Sequence, residues 1–269
     1  MFNKRTLLFI ILAAFFITNA LIAEFIGVKV FSLEEALGFE PVNWSFLGEE
    51  NLSFNLTTGV LLWPVIFILT DIVNDYFGIK GVRILSITSA VMISFGFFMV
   101  YMGINLPPAG FWPTSHIPLD ATPAEVEAIT SKVSDYDYAF RLVFGQGLWI
   151  IIGSLTAFLI GQFLDAYVFK AIKKATGDKR IWLRATASTL ISQFVDSYIV
   201  IFVAFYLGGN WSINMVLAIG TVGYIFKFVV AIVLTPFLYL IHGLIERYLG
   251  KEDARALRQE ALEGDIKAG

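Results

Sequence analysis

Charged side chains occur inside apolar stretches of this sequence, and their positions suggest what chemistry they could perform. Asp196 and Lys227 lie near the centres of two such stretches that a short link joins. We therefore expect two antiparallel helices in which these charges meet as an ion pair. A charge at the centre of a membrane helix costs about 2.5–3.5 kcal/mol on insertion scales, so its presence needs a reason. The pair either holds the helices together or forms the polar floor of a substrate site.

Further carboxylates accompany other apolar stretches. Asp71 and Asp75 are four residues apart, hence on one face of a helix, where their repulsion demands a nearby cation or a proton. Glu24 lies about one turn from the end of the first apolar stretch, and it either reaches the membrane interface or faces a site. Arg141 and Asp165 either bracket the fourth stretch at its two interfaces or contribute to binding.

Uncharged polar groups extend this set of candidates. Ser188, Ser192 and Asp196 recur at steps of four, so one face of their helix is hydrophilic and is expected to face a cavity. In the fourth stretch, glycine and alanine also recur at steps of four, which favours close helix contact over binding. The remaining candidates offer amide or aromatic groups to a ligand, and they are Asn19, Gln146, Trp149, Gln162 and Gln193.

The sequence lacks the motifs of most enzymes and of ATP-driven motors. It contains no Cys and only two His, which excludes disulfides, thiolate chemistry and a histidine-rich metal site. No G-x-x-x-x-G-K-[ST], H-E-x-x-H or G-x-S-x-G motif occurs, and a membrane-embedded enzyme would need a water-accessible catalytic pair that we do not recognise. The net charge of −3 gives no basic surface for nucleic acid. We expect translocation, with no catalytic residue, cofactor or metal.

The elements that must position these residues are membrane helices. The chain is 57% hydrophobic and 15% charged, whereas about a quarter of the residues in a soluble domain are charged. A membrane helix needs about 20 mainly apolar residues, and six stretches satisfy this requirement. They are residues 7–28, 58–77, 84–104, 142–164, 185–207 and 213–241.

The distribution of Lys and Arg predicts how these helices are oriented. Of the 19 basic residues, fifteen fall on one set of connecting segments and three on the other, while Lys227 lies within a span. Because cytoplasmic loops carry the excess of Lys and Arg, both termini are expected in the cytoplasm. The predicted fold is therefore all-α, a polytopic membrane protein of six transmembrane helices with N-in/C-in topology. One transporter domain would span residues 1–249, and residues 250–269 would form a charged, solvated cytoplasmic tail.

The two outer loops are expected to contain some regular structure. Ser32 and Glu35 have the spacing of a capping box, which predicts the start of a short helix. Residues 44–46 and 52–56 alternate between apolar and polar around residues 48–51, which predicts a β-hairpin on the membrane surface. Thr122 and Glu125 flank a proline and predict the start of a second short helix.

Several local motifs carry a resemblance to a known family. They are Asn19, Thr70-Asp71, Tyr76-Phe77-Gly78, Arg141, Gly161-Gln162-Phe163-Leu164-Asp165, Phe169, Trp182-Leu183-Arg184, Ala187-Ser188-Thr189, Gln193, Asp196-Ser197, Tyr224, Lys227 and Leu234-Thr235-Pro236. With them the chain resembles the queuosine precursor transporter family, also described as vitamin-uptake-like transporters, over about residues 7–249. The segment from Gly161 to Asp196 is specific, whereas the apolar spans alone would not be.

The resemblance implies import of a 7-deazaguanine, such as preQ0, preQ1 or queuine, across the bacterial inner membrane for tRNA queuosine biosynthesis. It also implies a six-helix fold akin to the substrate-binding subunits of energy-coupling-factor vitamin transporters. The alternative is that the chain is itself such a subunit and needs an ATP-driven module. The partners would be a purine-like base and the lipid bilayer, and a homo-oligomer stays open.

A guanine-like base suits the polar residues named above. Its edge presents adjacent N–H donors that one carboxylate can accept together, and we expect Asp196 or Glu24 to do so, with Lys227 neutralising the neighbouring carboxylate. Its carbonyl and ring nitrogens suit the amide side chains or Lys227. Its flat faces suit aromatic rings, which are abundant here with 26 Phe, 10 Tyr and 6 Trp.

Overall fold

The computed structural model describes residues 3–176 and 181–268, and it is mainly helical. In chain order the helices are α1 (Lys4–Ile26), α2 (Leu33–Ala36), α3 (Trp63–Ile104), α4 (Pro123–Thr130), α5 (Tyr136–Phe144), α6 (Leu148–Thr176), α7 (Ile181–Ile201), α8 (Ile213–Leu249) and α9 (Lys251–Ala268). The strands are β1 (Val30–Ser32), β2 (Trp44–Phe46), β3 (Glu49–Leu52) and β4 (Asn55–Thr57). A π-helical segment, Phe202–Leu207, continues α7.

Five segments are long and apolar enough to cross a membrane, so the chain is a multi-pass membrane protein. They are Lys4–Ile26, Trp63–Ile104, Tyr136–Thr176, Trp182–Leu207 and Ile213–Leu249. The second of them contains both the predicted span 58–77 and the predicted span 84–104. Its two halves meet at Gly78, whose φ of 70° and ψ of −175° are not helical and favour glycine. Six membrane crossings therefore stay a prediction.

Two predicted spans differ clearly from the observed helices. The fourth span was expected over residues 142–164, but the chain leaves helical geometry at residues 145–147, and α6 then continues to Thr176. The sixth was expected to end at residue 241, and α8 continues to Leu249 because apolar residues recur along its last two turns. Lys179 and Arg180, which support the predicted topology, lie outside the described residues.

The chain divides into two compact units, residues 1–93 with 148–269 and residues 94–147. The second unit contains the end of α3 together with α4 and α5. The helix start predicted at Thr122 is present there. It has a capping box, since the Thr122 hydroxyl accepts from the Glu125 N–H and the Glu125 carboxylate accepts from the Thr122 N–H. The Thr122 N–H and hydroxyl both donate to the Glu125 carboxylate, and these hydrogen bonds hold the pKa of Glu125 below its usual value.

In the first unit, α6 lies antiparallel to α7, and small residues of α6 permit close contact. A Cβ atom added to Gly153 would lie 3.0 Å from the backbone oxygen of Val200, and one added to Gly161 would lie 3.6 Å from the Asp196 Cβ. The small residues of the fourth apolar stretch therefore serve helix contact, as expected.

The same unit packs α3 parallel to α6. The Thr70 hydroxyl donates to the Gln162 Oε1 at 2.7 Å, and one turn later the Asn74 amide donates to the Ala166 carbonyl at 3.2 Å. Both contacts advance by four residues along each helix, which shows that the two helices run in the same direction. Residues between these contacts on either helix are held at equal depth.

Short strands follow α1 in the first unit. β2 and β3 form an antiparallel hairpin with a turn at Leu47 and Gly48, close to the predicted position. Leu56, expected in the same hairpin, instead lies in β4, which pairs with β1. The Ser32 hydroxyl accepts from the Glu35 N–H at 3.2 Å and starts α2 as predicted.

The charged tail forms a helix that packs on the first unit, in contrast to the solvated tail expected from its composition. Ala254 and Leu257 of α9 are buried. The charged residues around them in the sequence gave no indication of this burial. Arg5 of α1 pairs with Glu260 at 3.0 Å, and the Lys4 amine donates to the Tyr248 carbonyl at 3.1 Å. The start of α1 and the end of the chain therefore lie at the same end of this unit.

Candidate functional site

A cavity of about 50 Å³ lies between α3, α7 and α8 of the first unit. Trp63, Phe67 and Phe226 contribute aromatic walls, and most of the other lining groups are aliphatic. Its polar lining residues are Asp71, Thr186, Thr189, Gln193, Lys227 and Thr235. A mainly apolar lining with a few convergent polar groups is typical of small-molecule sites.

Gln193 of α7 is the most informative of these polar groups. Its side chain is 1% exposed, yet neither its Oε1 nor its Nε2 has a hydrogen-bond partner within residues 3–176 and 181–268. Leaving a buried polar group without a partner costs about 1–3 kcal/mol. The arrangement therefore leaves a donor and an acceptor ready for a molecule in the cavity.

The hydrophilic face of α7 is divided between the cavity and α6. Thr189 and Gln193, one turn apart, line the cavity. Ser188 and Ser192 are buried instead against α6, where the Ser192 hydroxyl donates to Asp165 Oδ1 at 3.2 Å. The expectation that Ser188 and Ser192 face a cavity is therefore wrong, because the close packing of α6 on α7 covers them.

The ion pair expected between α7 and α8 is present. Lys227 Nζ lies 2.5 Å from Asp196 Oδ2, and both side chains are partly buried. Thr186 and Thr235, which also join the two helices through their hydroxyl groups at 3.1 Å, agree with the antiparallel arrangement. Because Lys227 lines the cavity, Asp196 can hold the ammonium group in place at its edge.

Asp71, Gln162 and Asp165 lie together where α3 packs on α6. Asp71 is buried at the cavity, and its Oδ1 accepts no hydrogen bond from the part of the chain that the structure describes. The Gln162 side-chain oxygen is already engaged by Thr70. Asp165 is buried as well, against α7.

A buried ionic cluster lies one turn beyond Asp71 on α3. Asp75 Oδ1 pairs with Lys173 Nζ at 2.8 Å and with Arg184 Nη2 at 2.7 Å, and Lys173 also donates to the Asp75 carbonyl at 2.9 Å. His242 Nδ1 lies 3.1 Å from the Tyr76 hydroxyl. The cation that the spacing of Asp71 and Asp75 demanded is thus found at Asp75.

Sequence reasoning missed the roles of Lys173 and Arg184. Both were counted as basic residues of cytoplasmic segments, but both side chains are buried, and Arg184 is 0% exposed. Basic residues near the ends of apolar stretches usually reach the interface, which hid this cluster. The only signal was the Trp182-Leu183-Arg184 motif.

The aromatic wall was also missed. The rings of Trp63 and Phe67 stack with centroids 6.0 Å apart, one helical turn from each other on α3. Their spacing of four residues was the only signal in the sequence, and such a pair occurs in many apolar helices.

Glu24, Asn19 and Trp149 are not among the described residues that line the cavity. Glu24 is buried and accepts from the Ser154 hydroxyl at 2.5 Å. The Asn19 amide donates to the Phe15 carbonyl of its own helix at 2.7 Å, as a solitary polar residue in a membrane helix often does. Trp149 is 45% exposed at the start of α6 and packs next to Gly208.

Arg141 and Gln146 belong to the second unit. Arg141 Nε pairs with Asp137 Oδ2 at 2.7 Å, one turn earlier on α5. Gln146 lies between α5 and α6, where the backbone is not helical.

Curated relatives with similar sequences are named as transporters. The chain is 28% identical to the "Probable queuosine precursor transporter" of Bacillus subtilis over 197 residues, 73% of this chain and 76% of the relative. It is 27% identical to the "Queuosine precursor transporter" of Escherichia coli over 215 residues, 77% and 82%. A third, from Haemophilus influenzae, is 25% identical over 198 residues, 70% and 69%. No solved structure matches the chain.

The family assignment extends over most of the chain. The family described as "Putative vitamin uptake transporter" matches residues 57–241, which include α3, α6, α7 and most of α8. These are the helices that build the cavity and the buried ionic cluster. The chain therefore belongs to this vitamin uptake transporter family and is a transport protein rather than an enzyme.

Proposed function

We propose that this protein imports a queuosine precursor, a 7-deazaguanine base, across the bacterial inner membrane to supply tRNA modification. The names of three relatives support the substrate class. The structural observation that carries the proposal is the buried Gln193 amide, which faces a cavity and has no protein partner in the described chain. An amide donates and accepts at once, as the edge of a purine-like base requires.

The cavity residues define how such a base would bind. The Asp71 carboxylate accepts the adjacent N–H donors of the guanine-like edge, a charge-assisted contact. Gln193 pairs with the carbonyl and ring nitrogens, and the rings of Trp63, Phe67 and Phe226 cover the flat faces. Asp71 replaces Asp196 and Glu24 in this role, because those two carboxylates already contact Lys227 and Ser154.

Other buried candidates contact residues of this site and hold them in position. Asp196 positions Lys227, and Gln162 bonds to Thr70 next to Asp71. Ligand pockets measure about 300–1,000 Å³, so the cavity of about 50 Å³ must widen to admit a bicyclic base. Movement of α8 relative to α3 and α7 would provide this room, since these helices form its walls.

We also propose six membrane crossings with both termini in the cytoplasm. Arg5 of α1 pairs with Glu260 of α9, so the two ends of the chain lie together, which requires an even number of crossings. α3 has 42 residues and would measure about 63 Å if straight, twice the hydrocarbon core of about 30 Å. Counting its two halves separately at Gly78 gives six. Residues 1–249 then form the transporter domain and α9 its cytoplasmic extension.

Growth with supplied bases tests the function directly. Bacteria unable to make or import queuosine precursors would be given preQ0, preQ1 or queuine, and queuosine in their tRNA would be assayed. We expect modification only when this protein is expressed, and loss of at least tenfold in the initial rate for Asp71→Asn and Gln193→Ala at equal protein amounts. Glu260→Gln, on the surface of α9, is the matched control and should retain full activity. Modification at the same rate without the protein would refute the proposal.

Reconstitution separates a self-sufficient carrier from a subunit of an ATP-driven energy-coupling-factor system. The relatives are named simply as transporters, which favours the first. Purified protein alone in liposomes should exchange labelled preQ0 across the bilayer. Competition by preQ1 and queuine in the same assay gives the order of preference, and light scattering of the purified protein gives its oligomeric state.

A further inference from the structure

Asp71 of α3 and Asp165 of α6 are brought to equal depth by the contacts that flank them. Thr70 bonds to Gln162 before the two carboxylates, and Asn74 bonds to Ala166 after them. Since the helices are parallel, each carboxylate lies within the turn that these two contacts bound. The charges of Asp71 and Asp165 are within interacting distance of one another.

Both carboxylates keep an oxygen that no described part of the protein satisfies. These atoms are Asp71 Oδ1 and Asp165 Oδ2. From α7, the hydroxyl groups of Ser188, Thr189 and Ser192 face Asp165. The surroundings are therefore oxygen atoms on three helices. The Gln193 amide, which has no partner among the described residues, lines the same cavity as Asp71.

Among the residues that the structure describes, the charges around this pair do not balance. Asp71, Asp75 and Asp165 are three buried carboxylates, while Lys173 and Arg184 are two buried cations, both in contact with Asp75. Arg184, on α7, also attracts the Asp71 carboxylate electrostatically. Its guanidinium group, however, donates a hydrogen bond to Asp75.

The other basic groups nearby in the described chain have partners of their own. Arg258, from α9, is paired with Glu246 at 3.1 Å. Lys227, from α8, is paired with Asp196. His242, from the same helix, contacts the Tyr76 hydroxyl and lies 3.9 Å from Asp75 Oδ2. Two neighbouring carboxylates in a medium of low polarity disfavour each other's charge, so a cation shared between them stabilises the pair. With His242 neutral, the described residues of this part of the bundle hold one positive charge fewer than would balance the carboxylates.

We propose that Asp71 and Asp165 share one monovalent cation, a proton or Na⁺, and that its movement is coupled to import of the base. This inference rests on the proposed function, because Asp71 also faces the substrate cavity. Buried carboxylates in membrane helices commonly mark the pathways of protons and ions. The shared cation enters with the base from outside, is lost to the cytoplasm when the cavity opens inward, and leaves the pair to be loaded again.

Liposomes containing the purified protein test the coupling with labelled preQ0, which is uncharged. Exchange at equal pH and equal salt on both sides tests the proposed function by itself. Accumulation is then measured in two arms, both with the membrane potential clamped at zero. One arm has a tenfold inward proton gradient without Na⁺. The other arm has a tenfold inward Na⁺ gradient at constant pH. With one cation per base we expect about tenfold accumulation in one of the two arms, which identifies the cation.

Asp165→Asn should retain exchange and lose accumulation, since the neutral amide removes the excess charge without touching the cavity. Glu260→Gln should accumulate like the wild type and controls for reconstitution. Wild-type protein that exchanges preQ0 but accumulates it in neither arm would overturn the coupling, as would full accumulation by Asp165→Asn. If Asp165→Asn does not fold, the two wild-type arms still decide. Absence of exchange by wild-type protein would instead refute the proposed function.

Discussion

The cluster around Asp75 predicts an unequal set of mutational effects. Asp75 is shared by Lys173 and Arg184, so Asp75→Asn removes the partner of two buried cations at once. Lys173→Met or Arg184→Met leaves the carboxylate paired with the other cation. Stability should therefore decrease more when the single acid is neutralised than when either base is.

The burial of these groups sets the size of the effect. Breaking one buried ion pair by removing a partner costs about 3–5 kcal/mol. All three side chains are nearly inaccessible, so screening by solvent gives little relief. We expect a loss of about 3 kcal/mol for Lys173→Met and about 5 kcal/mol for Asp75→Asn. Arg184→Met should exceed Lys173→Met, because its guanidinium group also lies 5.3 Å from the centre of the Phe169 ring.

Reversible unfolding in mixed micelles, titrated with sodium dodecyl sulfate and followed by tryptophan fluorescence, measures these losses. Arg5–Glu260 is the matched control, since its side chains are 34% and 60% exposed and an exposed pair is worth about 0–1 kcal/mol. Glu260→Gln should therefore be nearly neutral. The reasoning fails if Asp75→Asn costs no more than Lys173→Met, or if all of these variants match Glu260→Gln.

Three further expectations follow from the packing of the helices. Asp196→Asn combined with Lys227→Met should retain more folded protein in membranes than either single change. Each single change leaves one partly buried charge without its partner. Additive losses of the two changes would argue against the contact. Gly78→Ala should destabilise the protein by about 1–3 kcal/mol in the same micelle titration, because only glycine readily adopts its backbone angles; an unchanged midpoint would contradict this. Gly153→Val should lower the free energy of unfolding by about 1–3 kcal/mol and reduce transport, since its Cβ would lie 3.0 Å from the Val200 carbonyl oxygen. Gly243→Ala is the control and should be tolerated, because a Cβ at Gly243 meets open space.

Much of the helical framework could be predicted from the sequence. Long apolar stretches identified the membrane helices, and the central positions of Asp196 and Lys227 predicted their ion pair. What could not be predicted was the joint at Gly78, because an isolated glycine among apolar residues gives no indication that two helical halves meet without a loop. Helix ends were also misjudged, since α6 and α8 continue past the apolar stretches with amphipathic turns.

The candidate site was only partly accessible to sequence reasoning. Gln193 and Lys227 were among the expected residues and line the cavity, as does Asp71. Polarity alone did not distinguish them from Asn19, which bonds to its own helix. That distinction depends on which face of each helix meets a neighbour, and a periodicity of 3.6 residues does not specify the neighbour. The buried position of Arg184 likewise depends on Asp75, which lies 109 residues earlier.

This long separation has a consequence for how the chain is made. Asp75 is synthesised well before Lys173 and Arg184. During translation the carboxylate therefore enters the bilayer before its two basic partners are available. A ribosome stalled after α3 leaves this carboxylate without either cation, and a nascent α7 can place its guanidinium group only where α3 is already inserted. Biogenesis of the bundle is therefore expected to depend on chaperones or on the insertion machinery until α7 emerges, and fragments that end before α6 should be rapidly degraded.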